Sequence, residues 1–310
     1  MISVEHLTKQ YGAFTAVNDV SFTCEPGTIT GFLGPNGSGK STTLRMVTGL
    51  TPATSGNATV AGIQFTDLPN PGRTVGVMLD AAAQHPGRSG IETLRIAAAL
   101  MGMPRRRADE VLEQVDLGDA ARRRVGDYSL GMRQRLGIAT ALLGDPPALI
   151  LDEPANGMDP AGIRWMRELL RDYAGRGGTV LLSSHLLSEV QATVDRLVVI
   201  GNGTVVANGS LGELLQRQGV VVQGLDGDGL ADALRAAGLN PAARADGSFE
   251  VDATLEQVGR AAAEAGEILL GLRADDRAEL EEYYFELTGP ATRSEPARPV
   301  GDRTVVASAN

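Results

Sequence analysis

A glycine-rich run between a short apolar segment and an amphipathic one constrains this chain more than any other feature. Residues 34–41 read GPNGSGKS and fit the pattern G-x-x-x-x-G-K-[ST] at every fixed position. Glycines let consecutive backbone N–H groups turn inward into an anion-binding nest, and the following helix adds the positive end of its dipole. The run therefore predicts a phosphate site, built from Gly34, Pro35, Asn36, Gly37, Ser38, Gly39, Lys40, Ser41 and Thr42.

The flanks of this run support a nucleotide site. Residues 28–33 (TITGFL) predict a buried strand, and Leu44, Val47 and Leu50 recur at helical spacing after the loop. Lys40 supplies a point charge for the outer phosphates, and Ser41 supplies a hydroxyl for Mg²⁺. An ordinary glycine turn is the alternative, but the chain has only two lysines and one occupies the phosphate position. The motif alone does not choose among NTPase families.

Composition narrows the class of protein. A chain of 310 residues holds one large domain plus a small one, and a net charge of −10 argues against a nucleic-acid-coating protein. Cys24 is the only cysteine, so no intramolecular disulfide or thiolate metal cluster is expected. The N-terminus lacks the pattern of a signal peptide, and no window has the roughly 18 uninterrupted apolar residues of a membrane helix. We expect a cytoplasmic protein, for which another chain would supply any pore.

Alternating strand and helix patterns predict an α/β core with a largely parallel sheet over residues 1–216. A small antiparallel sheet is expected near the nucleotide, and a helical segment at about 90–143. Residues 217–289 predict a small α+β unit with a glycine-rich, loop-like entry at Gly224, Gly227 and Gly229. Residues 290–310 carry three prolines and no apolar period, which predicts a disordered tail.

A second motif ends an apolar strand with two acids. Residues 149–154 read LILDEP, and this strand is expected beside the strand of the glycine-rich loop. Asp152 is placed to take the Mg²⁺ shell, and Glu153 to orient or deprotonate an attacking water. Adjacent acids at a strand end are also typical of a helix N-cap. This alternative is less favoured when a glycine-rich loop follows a neighbouring strand.

Three further segments complete a pattern in fixed order: YSLGMRQR at 128–135, ANGMDP at 155–160, and His185 after LLSS at 181–184. Each is weak alone. Together with the two motifs above they resemble the ATP-binding subunit of ATP-binding cassette (ABC) transporters over roughly residues 1–209. The resemblance implies a Walker A loop at residues 34–41 and Walker B acids at Asp152 and Glu153. It also implies an adenine-stacking Tyr11, signature residues Ser129 and Gly131, the D-loop aspartate Asp159, and the switch residue His185.

Two departures from the family pattern stand out. The signature usually has two adjacent glycines and then glutamine, whereas this chain has Leu130, Gly131 and Met132. After residues 75–79 the family usually has a glutamine that touches Mg²⁺ and water, and this chain has Asp80. A carboxylate still binds Mg²⁺ or water, so Asp80 is a candidate metal ligand, with Gln84 as an alternative substitute for the glutamine.

The resemblance implies a P-loop NTPase fold and an ATP-hydrolysing subunit that uses ATP and Mg²⁺. One cassette per chain implies a homodimer that encloses two ATP molecules and drives a separate polytopic membrane permease from the cytoplasmic face. Residues 280–289 (LEEYYFELTG) resemble the closing helix of ATPases of small drug and antibiotic exporters, or alternatively form a plain capping helix that buries Leu280, Tyr284 and Leu287. Other functions stay open: a soluble non-transport ABC ATPase acting on a macromolecular partner, or an adaptor whose C-terminal unit binds a regulator.

Overall fold

The computed structural model describes residues 1–81, 83–184, 187–215, 219–244 and 246–274, together with Leu280, Tyr284 and Leu287. Within this part of the chain the strands are β1 (Ile2–Tyr11), β2 (Phe14–Cys24), β3 (Ile29–Leu33), β4 (Ser55–Val60), β5 (Val75–Met78), β6 (Ala148–Asp152), β7 (Thr179–Ser183), β8 (Arg196–Gly201), β9 (Thr204–Ser210), β10 (Gly219–Gly224), β11 (Ala242–Ala243), β12 (Phe249–Asp252) and β13 (Leu269–Ala274). The α-helices are α1 (Lys40–Val47), α2 (Pro71–Thr74), α3 (Gly90–Leu100), α4 (Arg106–Gln114), α5 (Leu130–Leu142), α6 (Pro160–Gly175), α7 (Leu187–Thr193), α8 (Leu211–Leu215), α9 (Gly227–Ala236) and α10 (Leu255–Ala265).

A six-stranded sheet in the order β5-β6-β7-β3-β8-β9 forms the centre of the nucleotide-binding half. Its first five strands are parallel, and β9 pairs antiparallel with β8 as a hairpin. Every residue of β3 and β7 is buried, as expected for strands covered on both faces. Because the parallel strands end at one edge, the loops that follow them share that edge. The predicted α/β fold is confirmed.

The N-terminal strands form the expected antiparallel sheet, in the order β2-β1-β4. Strand β2 starts at Phe14, and its inward residues Val17, Val20 and Phe22 are all buried. The ring of Phe22 lies 5.3 Å from that of Phe32 on β3, centroid to centroid. This contact packs the small sheet against the strand that leads into the glycine-rich loop.

Helices α3, α4 and α5 occupy residues 90–142, where the helical segment was expected. Helix α3 begins with a capping box, in which Ser89 accepts from the Glu92 N–H and Glu92 accepts from the Ser89 N–H. The inward faces of these helices join the largest hydrophobic cluster, which also contains residues of β6 and β7. In the described residues no helix combines the length and apolar character that crossing a bilayer requires.

The C-terminal strands form a separate antiparallel sheet in the order β11-β12-β10-β13, with α9 and α10 packed on one face. The order of elements along the chain is β-α-β-β-α-β. The loop-like entry predicted at Gly227 and Gly229 is wrong, since both residues lie in the first turn of α9. Asp226 caps this helix by accepting hydrogen bonds from two backbone N–H groups.

The last predicted elements fall mainly outside the described residues. Of the closing helix only Leu280, Tyr284 and Leu287 are described; all three are helical, and they belong to or pack against the large cluster of the nucleotide-binding half. The tail at 290–310 lies outside the described residues, and so do residues 216–218 at the expected domain boundary. The boundary and the disordered tail stay predictions.

Candidate active site

The glycine-rich loop joins β3 to α1 and is held close to two neighbouring strands. Gly37 and Gly39 have φ values of 80° and 106°, in the left-handed region that favours glycine. A Cβ on Gly39 would lie 2.7 Å from the Ala16 carbonyl oxygen, and one on Gly34 would lie 2.3 Å from the Ile200 carbonyl oxygen. Side chains at these two positions are excluded, so the backbone is left as the binding surface.

Lys40 is the first residue of α1 and is only 7% exposed. Its Nζ donates hydrogen bonds to the carbonyl oxygens of Gly34 (2.6 Å) and Pro35 (3.2 Å), which hold the ammonium over the loop. Burial lowers the pKa of Lys40, and the negative charges of Glu153 and Asp152 oppose that shift. The two acids therefore lie within electrostatic range of the lysine.

The buried hydroxyl of Ser38 indicates whether the loop suits a phosphate ligand. Its side chain is 3% exposed, and within the described part of the chain its Oγ is buried with no hydrogen-bond partner. An unsatisfied buried hydroxyl costs about 1–3 kcal/mol, a cost that a phosphate oxygen would remove. The loop offers this hydroxyl, its backbone N–H groups and the Lys40 ammonium, which together fit a nucleoside triphosphate.

The two acids lie at the end of β6, where Asp152 is the last residue of the strand and Glu153 follows directly, but one expectation about them is wrong. Strand β6 does not neighbour β3, because β7 lies between them and pairs with both. The acids still reach the edge of the sheet where the glycine-rich loop lies. The last residue of β7, Ser183, donates from Oγ to Asp152 Oδ1 and accepts from the Glu153 backbone N–H at 3.0 Å. Glu153 itself has a φ of 52°.

The signature segment and the D-loop segment pack against each other. Ser129 caps α5 by accepting from the Met132 N–H at 3.2 Å, and Asp159 caps α6 by accepting from the Gly162 N–H at 2.9 Å. Buried Gln134 donates from Nε2 to the Asn156 carbonyl oxygen at 3.1 Å, which ties α5 to the D-loop. Ser129 and Asp159 are both exposed, so this joined surface faces solvent in a single chain.

The Leu130 side chain lies so close to the D-loop that Gly157 has no room for a side chain. A Cβ on Gly157, whose φ is 74°, would lie 2.1 Å from Leu130 Cδ2. Gly131 also lies close, since a Cβ there would be 3.6 Å from the Gly157 carbonyl oxygen. The leucine that departs from the family signature is therefore accommodated by close packing onto the D-loop.

The remaining predicted site residues are Tyr11, Asp80 and His185. Tyr11 ends β1, is 52% exposed, and has Lys9 Nζ 5.0 Å from its ring centroid. Its hairpin approaches the glycine-rich loop through Ala16 of β2. Asp80 is exposed and follows β5, the parallel neighbour of β6, so it lies at the same edge of the sheet as Asp152. His185 lies outside the described residues.

Sequence reasoning missed Ser183 and Gln134 as parts of the site. The signal for Ser183 was a hydroxyl pair, Ser183 and Ser184, that ends an otherwise apolar strand. Gln134 lies between Arg133 and Arg135, a polar run that gave no signal that its side chain is buried. Neither pattern identifies its partner, because Ser183 and Asp152 are 31 residues apart and meet only through the register of the sheet.

Comparisons with known proteins agree with this geometry. A family model described as ABC transporter matches residues 17–156. The lantibiotic transport ATP-binding protein SrtF of Streptococcus pyogenes is 36% identical over 208 residues, covering 66% of this chain and 89% of its own. The bacitracin transport ATP-binding protein BcrA of Bacillus licheniformis is 42% identical over 206 residues, covering 66% and 67%. The chain belongs to the ATP-binding proteins of ABC transporters.

This ABC ATPase also matches solved structures of its family. A bacterial ABC transporter cassette solved as a dimer is 25% identical, with a TM-score of 0.63, and the match covers 68% of this chain and 99% of the cassette. The family and the fold together make this chain an ATP-binding protein and an ATPase.

Proposed function

We propose that this ABC ATPase hydrolyses Mg-ATP to drive an exporter of drug-like, antibiotic or lipid-like molecules through a separate membrane permease. The observation that carries the ATPase chemistry is the buried Lys40 held over the loop within range of Asp152 and Glu153. The export assignment is supported by relatives that are named for lantibiotic and bacitracin transport. These relatives do not favour the alternative of a soluble, non-transport ABC ATPase.

Residues for Mg²⁺ follow from the donor chemistry of the site. The Ser41 hydroxyl and the Asp152 carboxylate are oxygen ligands of the kind that Mg²⁺ prefers, and Asp80 offers a further carboxylate at the same edge of the sheet. When bound, the ion neutralises charge on the outer phosphates. Lys40 and the loop N–H groups add positive charge around the same oxygens.

The attack on the terminal phosphate needs a water that is oriented and gives up a proton. Glu153 is the proposed residue, because its carboxylate follows Asp152 at the edge of the sheet that faces the loop. His185 is the proposed contact to the terminal phosphate, and Tyr11 the proposed platform for adenine. Positioning and charge stabilisation supply most of the rate in phosphoryl transfer.

A second copy of this chain is the proposed partner at the signature surface. Ser129, Gly131 and Asp159 lie on the joined signature and D-loop surface, and a homodimer would place this surface against the nucleotide of the other copy. The dimeric cassette that this chain resembles supports the arrangement. We further propose that the permease docks between the core and residues 90–143, at the cytoplasmic face of the membrane, and that nucleic acid has no part in the cycle.

Glu153→Gln tests the proposed chemistry. We expect this variant to bind ATP normally, to lose nearly all turnover because the base is removed, and to accumulate as an ATP-bound dimer in size-exclusion chromatography. Glu168→Gln is the matched control, since Glu168 is an exposed acid on α6, and it should turn over ATP normally. Normal hydrolysis by Glu153→Gln would refute the role of Glu153.

A separate measurement tests the transport assignment. The tagged full-length chain should co-purify from its native membranes with a polytopic membrane protein. Binding of that membrane protein should change the ATPase rate of the tagged chain. Recovery with ribosomes or other soluble assemblies instead would contradict transport while leaving the ATPase chemistry intact.

A further inference from the structure

Ser183 lies at the centre of the catalytic edge and has no role in the proposed chemistry so far. It is the last residue of β7, is fully buried, and pairs in register with Asp152 on one side and Phe32 on the other. The other residues in the second half of the strand, Leu181 and Leu182, are apolar. A hydroxyl in this setting needs partners, and both of its partners belong to the acid pair.

The hydrogen bonds of Ser183 run in one direction. The Glu153 N–H donates to Ser183 Oγ at 3.0 Å, and the Ser183 hydroxyl donates in turn to Asp152 Oδ1. A serine hydroxyl has one proton, so the bond to Asp152 uses its whole donor capacity. Each bond polarises the next in a partly buried chain of this kind, so the three groups are held as a unit.

Both acids are constrained by this unit. Glu153 has a left-handed φ of 52°, a conformation that costs a non-glycine residue of order 1–3 kcal/mol and persists only where surrounding contacts hold it. The Ser183 side chain and the Ser183 carbonyl oxygen, 3.2 Å from the Glu153 nitrogen, supply such contacts. Asp152 has one carboxylate oxygen fixed by the hydroxyl, which sets the direction in which the other oxygen points.

We propose that Ser183 is a positioning residue for ATP hydrolysis, whose hydroxyl orients Asp152 toward the metal and Glu153 toward the attacking water. The proposal rests on the functions proposed above for these two acids. Ser183 acts through them and not on the nucleotide. The competing interpretation is a serine that merely satisfies buried polar groups, in which case its loss would lower stability without changing the metal requirement of turnover.

Three variants at this position separate the two interpretations. Ser183→Ala removes the hydroxyl, Ser183→Cys keeps the shape with a larger atom and a weak donor, and Ser183→Thr keeps the hydroxyl in a residue that suits strands. Thr179→Val is the matched control, because Thr179 is a buried hydroxyl at the opposite end of the same strand that accepts from the Met1 ammonium. For each full-length variant we would measure kcat, the KM for ATP, the Mg²⁺ concentration at half-maximal rate, and Tm.

Ser183→Ala and Ser183→Cys should lower kcat or raise the Mg²⁺ requirement by about 10–100-fold, the usual cost of removing a group that orients a metal ligand. The KM for ATP should stay within about twofold, since residues 34–41 are unchanged. Ser183→Thr should restore most of the rate, and Thr179→Val should behave as the unmodified protein. If either the alanine or the cysteine variant fails to fold, the other variant still tests the proposal.

Two results would overturn the proposal. One is a normal rate and a normal Mg²⁺ requirement in a folded Ser183→Ala or Ser183→Cys variant, whatever its Tm. The other is an equal loss in Thr179→Val, which would trace the effect to strand stability. Failure of the proposed function is seen separately, because it would appear as continued hydrolysis in Glu153→Gln with Ser183 unchanged.

Discussion

A buried lysine needs acceptors around it, and at the scale of single residues Lys40 shows where they come from. The loop carbonyl oxygens hold its Nζ at short distance, and the charges of Glu153 and Asp152 oppose the fall in pKa that burial causes. A bound triphosphate would supply much more negative charge at the same place. Burying the Lys40 ammonium costs solvation free energy, and the neighbouring acceptors offset that cost. The lysine is therefore held in place to bind an anion.

Lys40→Met tests this interpretation by keeping the length of the side chain and removing its charge. The Kd for ATP should rise by about 10–100-fold, as expected from the loss of hydrogen bonds to a charged group worth about 1.5–3 kcal/mol. Arg106→Met is the control, since Arg106 is a cation on α4 whose side chain is 83% exposed. Unchanged ATP binding in a fluorescence titration of Lys40→Met would remove this residue from the site.

The sequence located the glycine-rich loop and the acid pair better than the residues that hold them in place. The glycine-rich loop and the two acids were recognisable because each is a continuous motif with a fixed chemical purpose. Ser183 was not, since its importance depends on β7 lying between β6 and β3, and no local pattern states the order of strands in a sheet. The expectation that the two motif strands are neighbours failed for the same reason.

At the scale of elements, periodicity located helices well but misjudged where they end. Leu50 was expected to continue the apolar stripe of α1, yet the helix ends at Val47 and Leu50 is 61% exposed. Thr48 bonds back to the Leu44 carbonyl oxygen, and Gly49 takes a φ of 68°, so the chain turns away before Leu50. Apolar spacing carries no information about such a stop, which depends on the glycine.

The packing of α5 on β5 gives a matched pair of glycine variants. A Cβ on Gly76 of β5 would lie 2.0 Å from the Ala141 carbonyl oxygen, a backbone atom that cannot move aside. A Cβ on Gly137 of α5 would lie 2.5 Å from Met78 Sδ, the flexible end of a side chain. The same added methyl group therefore meets a rigid neighbour in one case and a compliant one in the other.

Gly76→Ala should lower the free energy of unfolding by about 3 kcal/mol, at the upper end for overpacked cores. Gly137→Ala should lower it by less than about 1 kcal/mol, because Met78 repacks and alanine favours the helix. Urea unfolding of the two variants measures the difference. Equal losses would show that α5 is free to shift on β5.

At the scale of the whole molecule, a residue that follows the C-terminal sheet packs into the core of the nucleotide-binding half. Leu280 is fully buried and belongs to the same hydrophobic cluster as Val190 of α7, in the nucleotide-binding half. Its backbone N–H donates to Gln191 Oε1 at 3.4 Å. Residues near the C-terminus thus complete the core of the ATPase, although the sheet of β10–β13 has a hydrophobic cluster of its own.

Leu280→Ala tests whether the ATPase depends on this contact. Truncating a fully buried leucine should cost about 2–5 kcal/mol, and the loss should appear in the nucleotide-binding half because that is where the side chain packs. Leu270→Ala is the control, since Leu270 lies on β13, is 60% exposed, and should change stability by less than about 0.5 kcal/mol. Hydrogen exchange should report faster opening of α7 in Leu280→Ala while β10 and β12 keep their protection. Faster exchange confined to β10 and β12 would instead assign Leu280 to the C-terminal unit.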